Sequence, residues 1–286
     1  MSCGDDDTSA NDDDKIKVVT SLPLFADFVR NIGGERVEVT SLLPLGADPH
    51  TFEPSPRDVE TVTQADIAFA NGLDLEPAAI KVLEANLPDD AELVLLGEEA
   101  KASPNIGDFD PLIAKSDPHL WMDYRLGNRY GNIVMTKLNL LDPENAPSYK
   151  DSYSRYGQEI AELGAYFREK TSSIPVENRK LVTTHEAFDW FANSIGFEAV
   201  ATVAESPGQD PGPDEIAQLT KAIEDENIPA VFAEPQVHEE GQILEQAAAD
   251  AGVEVCVLYS DSLDDDVTSY IELMRFNADE LARCLG

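Results

Sequence analysis

The chain has four histidines, and three of them stand where a metal ligand is most easily presented. His50 closes Gly46-Ala47-Asp48-Pro49-His50, His119 lies in Asp117-Pro118-His119-Leu120-Trp121-Met122-Asp123, and His185 ends Val182-Thr183-Thr184-His185. Asp261 follows the run Val255-Cys256-Val257-Leu258-Tyr259-Ser260. A lone histidine is ordinarily a surface or core residue with a local partner, but three imidazoles and one carboxylate together form a donor set suited to tetrahedral zinc. His238, after Glu234-Pro235-Gln236-Val237, has no comparable surroundings and reads as a loop residue without a chemical role.

Two rival chemistries use the same residues. A zinc hydrolase needs three protein ligands and an open fourth position, which Asp261 would close. His185-Glu186-Ala187-Phe188-Asp189 is not the His-Glu-x-x-His of the metalloproteases, so Glu186 would serve as a base only if Asp261 were remote. A metal-dependent adhesin at the cell surface is the third reading.

The elements that must position these residues follow a β-α rhythm. Lys17-Val18-Val19-Thr20 reads as a strand leading to a helix through Phe25, Phe28 and Val29, and Val37 to Leu43 as a second strand. Ser55-Pro56 opens a helix, and strands follow at Ile67-Ala68-Phe69-Ala70 and Leu93-Val94-Leu95-Leu96. Residues 98–118 read as a loop and Tyr124 to Leu141 as a helix. From Ala146 to Ser173 apolar positions recur at helical spacing, with Pro147 tolerated in the first turn. Gly157 and Gly164 each cost about 1 kcal/mol against alanine, yet one helix of about 40 Å still fits best.

The rhythm then restarts. Strands are expected at Lys180 to Thr184, Ala199 to Val203, Ala230 to Ala233 and Val255 to Tyr259, with helices at Phe188 to Ile195, Asp214 to Glu226, Gly241 to Ala251 and Val267 to Leu285. The expected fold is therefore α/β, with two lobes, each a roughly four-stranded parallel sheet flanked by helices, joined by one long rigid helix. The expected boundaries are a disordered acidic tether at 1–14, an N-terminal lobe at 15–144, a connecting helix at 145–175 and a C-terminal lobe at 176–286. Parallel sheets bind ligands at the carboxyl ends of their strands, where His50, His185 and Asp261 fall; His119 directly precedes a helix.

The phrases Gly46 to Pro56, Asp117 to Asp123 and Val182 to Phe188 resemble those of the zinc- and manganese-type solute-binding proteins of ABC importers. Asn71-Gly72, Phe232-Ala233-Glu234-Pro235-Gln236 and Tyr270 to Asn277 resemble that family too, so the likeness runs from Lys15 onward. The resemblance implies two α/β lobes on one rigid helix, metal held at their interface by His50, His119, His185 and Asp261, and delivery to a membrane permease. It also implies that relatives with histidine near the position of His185 are zinc-like and those with a carboxylate there manganese-like. Intrinsic affinity favours zinc for such a site, while a bidentate Asp261 would admit manganese or ferrous iron. The histidine-rich loop of some zinc-binding members has no counterpart here, since Glu98 to Ser116 contains no histidine.

Composition bounds the rest. The 286 residues carry 56 acidic against 20 basic side chains, a net charge of −36, which would repel a phosphate backbone and excludes nucleic acid as a partner. No apolar run approaches the roughly 18 to 20 residues needed to cross a bilayer, and the protein is expected to act as a monomer. Met1-Ser2-Cys3-Gly4 before an acidic tract resembles the start of a mature bacterial lipoprotein. That places the protein outside the cytoplasm, in the periplasm or on the outer face of the membrane, anchored through a lipidated Cys3. Cys256 and Cys284 are expected either to bridge, stabilising the fold by about 3 to 4 kcal/mol, or to remain two buried thiols.

Overall fold

A computed structural model of the chain describes residues 15–102, 117–209 and 211–286. The acidic tether with Cys3, and residues 103–116 of the expected loop, lie outside the described residues.

The first half begins with β1 (Ile16–Thr20), α1 (Pro23–Gly33), β2 (Val37–Ser41), α2 (Pro56–Val62) and β3 (Ile67–Ala70). It continues with α3 (Pro77–Asn86), β4 (Glu92–Leu95), α4 (Leu96–Lys101) and α5 (Tyr124–Leu141). The second half has β5 (Lys180–His185), α7 (Asp189–Ile195), β6 (Glu198–Ala204), α8 (Pro213–Asp225), β7 (Ala230–Ala233), α9 (His238–Ala251), β8 (Glu254–Val257) and α10 (Tyr270–Leu285). Between them runs α6 (Ala146–Thr171), 26 residues long. The sheets are ordered β2-β1-β3-β4 and β6-β5-β7-β8, and every pairing is parallel. In each, the chain first steps to one side of its central strand and then to the other, which opens a crevice at the carboxyl ends of the strands.

Local chemistry explains the element boundaries. Pro56 takes the first position of α2, and the Asp58 carboxylate accepts from both the Ser55 N–H and hydroxyl at 2.7 Å, which supplies partners at a helix start. The long helix α6 keeps Gly164 because a Cβ there would come within 2.5 Å of the Tyr124 hydroxyl oxygen. The glycine admits the close approach of α5, so the helical run continues despite its intrinsic cost.

Three expectations are corrected. The chain enters α4 directly from β4, with Leu96 and Ala100 buried and Gly97 N–H bonded to the Asn71 carbonyl at 2.9 Å, so residues 98–101 are helical and not loop. Helix α9 begins at His238, which is an exposed first-turn residue and not part of a loop. Helix α10 begins at Tyr270 and not at Val267, because the Val267 N–H is bonded to Asp264 Oδ1 at 2.8 Å in a preceding turn while Ser269 caps the helix.

The apolar interior continues across the long helix. One cluster joins Val18 and Phe69 of the first sheet, Phe167 of α6, Leu181 and Phe232 of the second sheet, and Leu273 of α10. A smaller cluster, including Val203, Leu219, Val231 and Leu244, lies between the second sheet and helices α8 and α9. Helix α10 lies along α6, and its first residue reaches back to the first half, where Tyr270 N–H donates to Asp27 at 3.1 Å and its ring meets Phe28 at 4.8 Å. Cys256 and Cys284 form a disulfide that ties β8 to α10.

Candidate metal centre

The four residues picked from the sequence lie together, where the carboxyl ends of the two sheets face each other. His50 is carried by the loop after β2, His119 by the segment that leads through a short turn, Leu120–Met122, into α5, His185 by the last position of β5, and Asp261 by the loop after β8. One donor atom from each falls within 4.8 Å of all the others. His50 Nε2 is 3.4 Å from His119 Nε2 and 3.9 Å from Asp261 Oδ2. His119 Nε2 is 3.3 Å from Asp261 Oδ1, and His185 Nε2 is 3.3 Å from Asp261 Oδ2. His119, His185 and Asp261 are buried, and the His50 side chain is 11% exposed.

The inner and outer faces of the imidazoles differ. His119 Nδ1 meets Asp117 Oδ1 at 2.7 Å and His185 Nδ1 meets Glu234 Oε1 at 2.9 Å. Such contacts orient each ring and leave Nε2 as the free donor. At the centre, His185 Nε2 and both Asp261 oxygens are buried and, among the described residues, have no hydrogen bond of satisfactory geometry. Buried polar atoms are rarely left in this condition, and a cation placed among them would satisfy all at once.

Charge is distributed unevenly over the cluster. Burial pulls His50 down to about 3, so its ring is neutral. Burial also opposes charge on His119, but Asp261 and Asp117 outweigh it and raise this histidine above its usual range. At His185 the same opposition is overcome by Glu234 and Asp261, and the group is raised well above the ordinary histidine value. Asp261, despite its burial, is held below the usual carboxylate range by His119 and His185. A cation taken up at Nε2 would displace the protons that these carboxylates favour on His119 and His185.

Supporting contacts were not legible as functional from residue type. Asn71 Nδ2 donates to the Pro118 carbonyl at 2.9 Å and Asn71 Oδ1 accepts from the Tyr130 hydroxyl at 2.7 Å, which fixes the segment preceding His119. The Trp121 indole N–H donates to the Ser260 carbonyl at 3.1 Å, and Gly46 N–H donates to the Leu263 carbonyl at 2.8 Å. Both bonds join a first-half ligand segment to the loop carrying Asp261. His238 lies outside the cluster, and a cleft of about 700 Å³ lined in part by Asp74, Asp117, Glu186 and Glu205 opens onto His50 and His119.

A family profile described as "Zinc-uptake complex component A periplasmic" matches residues 18–284. The chain belongs to this family. It is accordingly an extracytoplasmic metal-binding receptor of an ABC importer. It is 29% identical over 282 residues to the manganese-binding lipoprotein MntA of Halalkalibacterium halodurans, covering 97% of this chain and 91% of that protein. It is 26% identical over 295 residues to the manganese ABC transporter substrate-binding lipoprotein PsaA of Streptococcus pneumoniae, covering 100% of this chain and 94% of that one. The structure of the periplasmic zinc-binding protein TroA from Treponema pallidum superposes with a TM-score of 0.84 at 29% identity, covering 95% of this chain and 99% of that one. The family's relatives thus carry names with either metal, on one fold.

Proposed function

We propose that the protein captures one divalent metal ion, zinc foremost, through Nε2 of His50, His119 and His185 and the carboxylate of Asp261, and hands it to a membrane permease. The observation that carries this reading is the division of the imidazoles, with carboxylates against the outer nitrogens of His119 and His185 and Nε2 turned to a common centre. Three nitrogens and one oxygen suit tetrahedral zinc, and Asp261 in the fourth position leaves no open site for hydrolysis.

A second reading, manganese, is favoured by one feature: the two Asp261 oxygens face different histidines, Oδ1 towards His119 and Oδ2 towards His185. Bidentate binding would raise the coordination number and suit a harder cation, and two of the relatives are named for manganese.

In this proposal residues 15–144 and 176–286 act as the lobes, 145–175 as the connecting helix, and Cys3 as the lipid anchor of a monomeric receptor. The acidic cleft concentrates cations at the entrance. The test is thermal melting of metal-stripped protein with zinc, manganese or ferrous iron at micromolar concentration. A ligand bound only by the folded state raises the melting temperature by several degrees; no shift with any of the three would refute the proposal.

A further inference from the structure

The two halves each bury a glutamate at the carboxyl ends of their central strands, and the two do different work. Glu76 accepts from the Ser21 hydroxyl at 2.8 Å and from Asn71 N–H at 2.6 Å, joining the segments that follow β1 and β3. Glu234, 3% exposed, follows β7 directly. Its Oε1 accepts from the Thr184 hydroxyl and faces His185 Nδ1 at 2.9 Å, while its Oε2 accepts from the Ser260 hydroxyl and from Gln236 Nε2 at 3.3 Å. Thr184 precedes His185 and Ser260 precedes Asp261, so one carboxylate spans the segments that carry two of the proposed ligands.

We infer that Glu234 is a positioning residue that holds His185 and Asp261 as one unit and keeps the His185 imidazole oriented for metal. The inference rests on the metal-capture reading above and adds a residue that does not itself touch the ion. Strand β7 lies between β5 and β8 in the sheet, so a side chain at its end is placed to reach both neighbours. Among the described residues no lysine or arginine is paired with Glu234, whose charged contact is His185. A buried carboxylate held in this way is costly unless its hydrogen bonds are satisfied. In Glu234→Gln the amide oxygen would still accept from Thr184 and His185, but its nitrogen would replace the oxygen that accepts from the Ser260 hydroxyl and Gln236 Nε2. What the amide lacks is the second acceptor oxygen, so it cannot hold the His185 side and the Ser260 side as the carboxylate does.

Two variants test this, Glu234→Gln for the hold on His185 and Ser260→Ala for the tie to Asp261. Each is measured for metal-free melting temperature, for zinc affinity by chelator competition, and for the visible absorption of the cobalt(II)-loaded protein. Expected are metal-free variants that still fold and melt cooperatively, a loss of zinc affinity of about 10–100-fold in Glu234→Gln, a smaller loss in Ser260→Ala, and an altered cobalt spectrum in both. Parental zinc affinity and cobalt spectrum in either variant would overturn the inference, as would an affinity loss matched by a collapse of metal-free stability with an unchanged spectrum. Failure of the parent protein to bind zinc or cobalt would strike the metal-capture reading itself.

Discussion

His119 Nε2 sits 3.4 Å from His50 Nε2 and 3.3 Å from an Asp261 oxygen, inside the cluster, whereas His238 is exposed at the start of α9. His119→Ala is expected to weaken zinc binding by more than about 100-fold, since outer partners of a ligand alone are worth 10–100-fold. His238→Ala should leave it unchanged; equal losses by isothermal titration would mean the ligands are wrongly assigned. The raised histidines set a pH dependence. A histidine whose folded value is raised contributes its full stability below its unfolded value of about 6.5 and loses it as pH rises through the folded value. Metal-free protein should therefore lose melting temperature as pH climbs above neutrality through the raised range of His119 and His185. Zinc-loaded protein, whose imidazoles are already deprotonated, should not. Asp261, shifted down, contributes above about pH 4 and loses its contribution only in stronger acid. Melting curves against pH with and without zinc check both signs. Of the residues at the centre, His50, His119 and His185 are legible from their places after a strand or before a helix together with phrases that resemble the family's, and Asp261 from its place after the last strand and the family's pattern. Glu234 obeys the same strand-end rule after Ala230–Ala233, but a carboxylate beside Pro235 reads equally well as a solvated turn. Its partners, Thr184 and Ser260, lie 50 and 26 residues away in the chain, a distance that only folding closes.

Long periodic elements were the most legible. Helix α5 spans Tyr124–Leu141 as expected, and α6 ends at Thr171, two positions short of the expected Ser173. Short elements and helix starts were less so: α4 starts without a side-chain cap and depends on the buried Leu96 and Ala100, and α9 starts at His238, three positions before the expected Gly241, with no side-chain cap to mark it. Where helices approach most closely, sequence shows only a glycine. A Cβ at Gly127 of α5 would fall 2.1 Å from the Tyr270 hydroxyl oxygen, which donates to the Trp121 carbonyl at 2.7 Å. Gly127→Ala is expected to destabilise by about 1–3 kcal/mol through overpacking, measured by urea unfolding. A parental midpoint would show that Tyr270 yields freely. Cys256 and Cys284, 28 residues apart, close a loop that holds β8 against α10. Reduction should lower stability by about 3–4 kcal/mol, read from unfolding midpoints with and without reductant.

The two halves are braced at several points. Bonds cross from Gly46 to Leu263, from Trp121 to Ser260 and from Tyr270 to Asp27, and the main apolar cluster runs through both sheets. A hinge that opened widely would have to break these bonds and expose that core, so capture is expected to proceed by small shifts of loops. Small-angle scattering should give the same radius of gyration with and without zinc; a clear contraction on binding would contradict the braced arrangement. The net charge of −36 and the acidic cleft should make zinc association slow as salt is added. The most direct test of metal capture by these four residues is elemental analysis, after dialysis against zinc, of metal-stripped parent protein and His119→Ala side by side. One zinc per chain in the parent and a large loss in the variant is the predicted result. No retained zinc in the parent, or the same content in both, would contradict it.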